Sequence, residues 1–102
     1  MNLFTVIREA GPAWTAGGIL DQPGAGEHAA FMNALADEGF VLFAGPLAGS
    51  EGDRVRALLI VDAESPAEIR HRLADDPWVR TRRLVTVDIE RWKIFVGAER
   101  LA

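Results

Sequence analysis

The chain opens on a strand pattern. Phe4 and Val6 are strong strand formers set between polar ends, so residues 2–9 are expected to form a first strand. Residues 10–24 then lose all periodicity. Gly11-Pro12, Gly17-Gly18 and Pro23-Gly24 punctuate them and predict a loop. Fifteen residues is a long connection for a small domain, and loops of that kind often serve function. From Gly26 or Glu27 the period changes. His28, Phe31, Met32 and Leu35 recur at i, i+3, i+4 and i+7, which is one face of a helix. Ala29, Ala30, Ala34 and Ala36 are good helix formers around that stripe. Gly39 ends the helix, since glycine takes the left-handed conformation freely.

Residues 40–44 read as a second strand closed by Gly45-Pro46, residues 47–53 as a turn, and residues 54–62 as a third strand. Its two faces are Val55, Ala57, Leu59, Val61 and Arg56, Leu58, Ile60, Asp62. Both are apolar at the middle, so neither is suited to water. Ser65-Pro66-Ala67-Glu68 marks the start of a second helix: Ser65 caps, Pro66 suits the first position, and Glu68 returns the capping-box bond. That helix runs to about Ala74. Asp75-Asp76-Pro77 ends it, because the residue before proline is pushed out of the α region. Residues 84–96 read as one long strand, bent or bulged near Glu90-Arg91. The order β-α-β-β-α-β predicts an α+β, ferredoxin-like fold: a four-stranded antiparallel sheet with both helices on one face, in one domain over residues 1–102. Two helices cover only one face of the sheet. The apolar second face of strand three therefore predicts a partner subunit, a homodimer being the simplest.

Composition sharpens this picture. The chain has 102 residues, 49% of them apolar, near the top of the usual range, and burying such a surplus is easier in an oligomer. The net charge of −4 lacks the basic field of a nucleic-acid binder; Arg80, Arg82 and Arg83 are the one dense basic stretch, and they are expected to be solvated or paired. No apolar run reaches the ~18 residues of a membrane helix. The absence of cysteine excludes disulfides and thiolate chemistry, and with the absence of a leader pattern it leads to the expectation of a cytoplasmic protein without membrane partners. With two histidines, no cysteine and no His-x3-His spacing, neither a metal nor another cofactor is expected.

Several short motifs recur in a fixed order: Gly11-Pro12-x-Trp14, the run Glu27-His28-Ala29-Ala30-Phe31-Met32, Asp37-Glu38-Gly39-Phe40 leading into Gly45-Pro46, Ala74-Asp75-Asp76-Pro77-Trp78, and the late Trp92. In order and spacing the chain resembles the YCII-related (YciI-like) family over nearly its whole length. The resemblance implies a dimeric α+β barrel, in which two sheets pack face to face. It also implies a site made from a histidine on the first helix and an aspartate. One departure is visible: the stretch before the histidine often carries an aromatic residue in the family, and here it is Pro23-Gly24-Ala25-Gly26.

The candidate chemistry centres on His28. It lies on the inward stripe of the first helix, and an imidazole can take and return a proton near neutral pH. The plainer alternative is a core-edge histidine satisfied by a backbone carbonyl. Asp76 is the candidate partner, orienting His28 and fixing its tautomer; Asp75 competes with it, and an aspartate before proline is also an ordinary turn residue. His71, between Arg70 and Arg72, faces solvent. Trp14, Trp78 and Trp92 are either core or interface anchors or the walls of an apolar substrate pocket. Ser50 and Ser65 are the only serines, Lys93 is the sole lysine, and there is no tyrosine. That inventory favours proton transfer (elimination, isomerisation, or hydrolysis by activated water) over a covalent intermediate. The expected function is a cofactor-free enzyme acting on a small organic molecule, cyclic ones included, through a His28–Asp76 dyad. The alternative is a non-catalytic dimeric module that binds a small ligand or another protein. A His28–Asp76 hydrogen bond beside a pocket would favour the first; a buried His28 bonded only to backbone would favour the second.

Overall fold

The strand-forming segment at the start of the chain becomes the centre of a sheet. In the computed structural model, which describes residues 1–52 and 54–101, the elements are β1 (Leu3–Ala10), α1 (Ala25–Asp37), β2 (Val41–Pro46), β3 (Arg56–Asp62), α2 (Pro66–Leu73), α3 (Pro77–Arg80) and β4 (Leu84–Arg91). Single turns of 3-10 helix lie at Ile19–Asp21 and Ala98–Leu101. The strands pair antiparallel in the order β2-β3-β1-β4. This is the α+β, ferredoxin-like arrangement that the element order implies.

Register explains the core. Phe4 lies opposite Val61, Val6 opposite Leu59, and Arg8 opposite Ala57. Successive side chains on a strand alternate, so Phe4, Val6 and Arg8 share one face. There Phe4 and Val6 meet Leu35 of α1 and Ile69 and Leu73 of α2, in one buried cluster with Phe40, Val41, Leu59, Val61 and Ala63. Each such side chain stabilises the fold by about 1.5–3 kcal/mol when fully removed from water. A second cluster, of Trp14, Val55, Trp78 and Leu84, sits nearer the ends of the strands. By the same alternation Ile7, Leu58, Ile60 and Phe43 lie on the opposite face, where Phe43 is 60% exposed. No helix of the described residues is long and apolar enough to cross a membrane.

Several boundaries depart from the expectation. The second helix stops at Leu73, but Asp76-Pro77 does more than end it. The Asp76 carboxylate accepts the Trp78 N–H at 2.9 Å and Pro77 occupies the first helical position, so a new one-turn helix, α3, begins there. β4 ends at Arg91 instead of reaching residue 96. Its irregularity lies earlier than Glu90-Arg91, opposite Ile7 and Arg8, and the Trp92 N–H donates to Leu3 O as the chain leaves the sheet. β2 continues through Gly45-Pro46, which an edge strand tolerates because proline's missing donor faces no neighbour. β3 starts at Arg56, not at residue 54, and Asp53, the last residue of the expected turn, lies outside the described residues. Ser65 accepts the Glu68 N–H at 3.1 Å as a cap should, while Glu68 accepts the N–H of Glu64, not that of Ser65.

Candidate functional site

Three elements converge on one carboxylate. α1 begins where Gly24, at φ +80°, turns the chain in a conformation that a side chain strains to adopt. The His28 N–H donates to Gly24 O at 2.9 Å, which fixes His28 on the first turn. At the end of α2 the Asp76 N–H bonds to Leu73 O, and its side chain turns inward to become fully buried. From the C-terminal half of β1, Arg8 reaches the same point, 2% exposed.

The geometry is tight. His28 Nδ1 lies 2.9 Å from both Asp76 Oδ1 and Oδ2. Arg8 Nη1 donates to Oδ2 at 2.8 Å, and the Trp78 backbone N–H donates to Oδ1 at 2.9 Å. Burial by itself would raise the Asp76 carboxyl; the bonds from His28 and Arg8, the Arg8 charge and the Trp78 N–H outweigh it and hold the group below the usual carboxylate value. Burial pulls the Arg8 guanidinium down in turn, against the bond and charge of Asp76. An ionised carboxylate only accepts hydrogen bonds, so Nδ1 of neutral His28 must carry the proton and Nε2 is left as the basic nitrogen. This tautomer follows from the arrangement of charges.

His28 stands on the wall of a pocket of about 210 Å³, which Arg8, Met32, Leu59, Trp78 and Leu84 also line. Trp78 stacks on the imidazole with ring centroids 4.0 Å apart and planes 9° from parallel. The indole N–H donates to Pro23 O at 2.8 Å, tying the end of the long loop to α3. Trp14 meets Trp78 edge-on at 5.8 Å. The loop itself is built, not slack. Gln22, buried, accepts from the Thr15 N–H and hydroxyl and donates to Thr15 O, which closes residues 15–22 on themselves and brings Ile19 to the pocket.

The structure brings His28, Asp76 and Trp78 together, with Trp14 behind Trp78 instead of on the pocket wall. Asp75 points the other way, two-thirds exposed, and pairs with Arg80 at 2.8 Å. Trp92 is not brought to this pocket. It borders a separate cavity of about 460 Å³ with Met1, Leu3, Arg91, Phe95 and Leu101. His71 is exposed, as its helical position implies. Arg80 closes α3, and Arg82 and Arg83 sit in the turn before β4, so the three share no strand. Among the described residues no group of three or more His, Cys, Asp and Glu is placed to hold a metal ion. Sequence reasoning missed Arg8. Its signal was the phase Phe4, Val6, Arg8, which sets a charge on the buried face of a strand, where a charge needs a partner.

Comparison with known proteins places these observations in a family. None of the curated proteins compared with the chain matches it. Among solved structures it is similar to 5-chloro-2-hydroxyhydroquinone dehydrochlorinase from Burkholderia phenoliruptrix AC1100, in complex with 2,5-dihydroxybenzoquinone. The two are 24% identical, with a TM-score of 0.65, over 89% of this chain and 93% of that one. At that identity the likeness is one of fold. The model of the YCII-related domain matches residues 8–93, a span that includes Arg8, His28, Asp76 and Trp92, and the chain belongs to the YCII-related domain family.

Proposed function

We propose that this chain, one domain over residues 1–102, is a cofactor-free cytoplasmic enzyme that moves protons on a small organic molecule, with His28 as general base and acid and Asp76 as its positioning partner. The observation that carries the reading is the Nδ1 contact of 2.9 Å to both Asp76 oxygens on the wall of a 210 Å³ pocket. Nε2 is then the nitrogen free to take a substrate proton. The imidazolium that results lies against a carboxylate already ionised by Arg8, and it returns its proton at a later step. Neither serine competes as a nucleophile: Ser50 donates to Leu47 O and Ser65 caps α2. The similar structure is a dehydrochlorinase, and loss of hydrogen chloride is an elimination. That supports elimination among the reaction classes a proton-transfer site can run. The stacked, carboxylate-bonded His28 also argues against the alternative of a binding module, whose buried histidine would be expected to bond backbone.

The test is turnover on a panel headed by 5-chloro-2-hydroxyhydroquinone and other halogenated polyhydroxybenzenes. His28→Ala is expected to abolish it and Asp76→Asn to cost on the order of 10⁴-fold, as a wrong-tautomer change does in catalytic triads. Asp75→Asn is expected to be mild. An unchanged rate in His28→Gln rejects the mechanism.

The working form is a homodimer in which the faces bearing Ile7, Leu58, Ile60 and Phe43 pack together as a two-sheet barrel. Support comes from that apolar face and from the family. Sedimentation at micromolar concentration should report twice 11.1 kDa. A stable folded monomer contradicts this.

A further inference from the structure

The dyad uses one arm of Arg8 and leaves the rest of the guanidinium unexplained. A guanidinium carries five N–H donors. Here Nη1 meets Asp76 at 2.8 Å, Nη2 meets the thioether of Met32 at 3.3 Å, and Nε has no hydrogen-bond partner among the described residues. A thioether is a weak acceptor, and a charged donor buried without a strong one is costly. The side chain is nevertheless 2% exposed. The position is also telling: Arg8, Met32 and His28 line the same pocket, and most of the other lining is apolar.

We propose that Arg8 is a substrate-binding residue whose Nη2 reads an anionic oxygen, a carboxylate, phenolate or enolate, on a planar ring held in this pocket. The inference rests on the reading of the pocket as a substrate site. Met32 Sδ occupies the position at Nη2 that the oxygen takes, and methionine, unbranched with three rotatable bonds, can swing aside. Size agrees: an apolar cavity of about 150 Å³ holds benzene, so 210 Å³ accommodates a ring with small substituents.

The charges balance through the reaction. Before proton transfer Arg8 and Asp76 form a neutral pair beside a neutral His28. When Nε2 takes a proton from a ring O–H, that bond breaks, an N–H forms, and the electron pair stays on the oxygen as a phenolate. When it takes one from a saturated C–H beside a ring carbonyl, the pair moves through the C–C bond onto the carbonyl oxygen as an enolate. Asp76 then faces an imidazolium, which releases Arg8 to face the oxyanion. Two ion pairs stand where one stood, in apolar surroundings that strengthen both.

The test is binding, read by calorimetry, with benzoate and its neutral isostere benzamide as probes. Wild type is expected to prefer benzoate by about tenfold or more, the worth of one charge-assisted hydrogen bond. His28→Gln should keep that preference. Arg8→Lys, which retains the charge but not the fork, should shrink it. Arg8→Met with Asp76→Asn, which removes both buried charges together so that the fold is not left with one, should erase it; circular dichroism checks the fold. Met32→Ala should tighten benzoate and not benzamide. Equal affinities in wild type overturn the proposal. So does a preference that survives the double substitution, or one that disappears with His28→Gln alone. Because the readout is binding, a failed acid-base mechanism leaves the benzoate preference standing, and a lost preference leaves the dyad standing.

Discussion

Asp75 and Asp76 are neighbours in the chain and belong to different regions of the molecule. Asp75 lies on the surface in the link between α2 and α3 and pairs with Arg80, both about two-thirds exposed. Asp76 lies in the interior, fully buried, with His28, Arg8 and the Trp78 N–H all on its two oxygens. Each has an arginine at 2.8 Å. The distances are equal and the consequences are not, because water screens the outer pair while the inner one is held away from solvent. A contact length alone does not rank the two; burial and the number of partners do.

Stability should separate them most sharply. Asp76→Ala leaves Arg8 buried without its counter-charge, and removing one partner of a buried pair costs about 3–5 kcal/mol. Asp75→Ala should fall within about 0.5 kcal/mol of wild type. Thermal melts convert this to a drop of roughly 12 °C or more for the first and a barely measurable change for the second. Two equal melting temperatures would erase the distinction between the regions.

A smaller effect comes from acid. Asp76 is held below the ordinary value of 3.8 in the folded state. A depressed folded value means the unfolded chain takes up the proton first, so the stabilisation is complete above 3.8 and is lost as pH falls below it. Chemical unfolding below about pH 4 should therefore show wild type losing stability more steeply than Asp76→Ala. Parallel curves would mean that Asp76 is not held low by its partners.

Much of this was legible in the chain. The stripe His28, Phe31, Met32, Leu35 correctly implied a helix face turned to the sheet, with Leu35 buried and Phe31 and Met32 packed beside it. The Ser65 cap and the β-α-β-β-α-β order followed from local chemistry in the same way. What escaped was information that only tertiary contact carries. Asp76-Pro77 reads equally as the end of one helix or the start of the next, and the inward turn of one carboxylate decides between them. Trp14, Trp78 and Trp92 form one set by residue type; the structure sends Trp92 to a different cavity because β4 stops at Arg91. Arg8 looked like the polar edge of a strand. Only its pairing with a fully buried aspartate from the far end of α2 shows why a charge sits in phase with Phe4 and Val6.

The central claim is that Asp76 holds His28 with its proton on Nδ1 and its lone pair on Nε2. Nitrogen-15 NMR of the two histidines reads this directly, and exposed His71 supplies the internal reference. In the neutral form, His28 should show the Nδ1–H tautomer alone, His71 should average between tautomers, and Asp76→Asn should release His28 toward Nε2–H. A wild-type His28 that averages like His71, or that carries its proton on Nε2, contradicts the account.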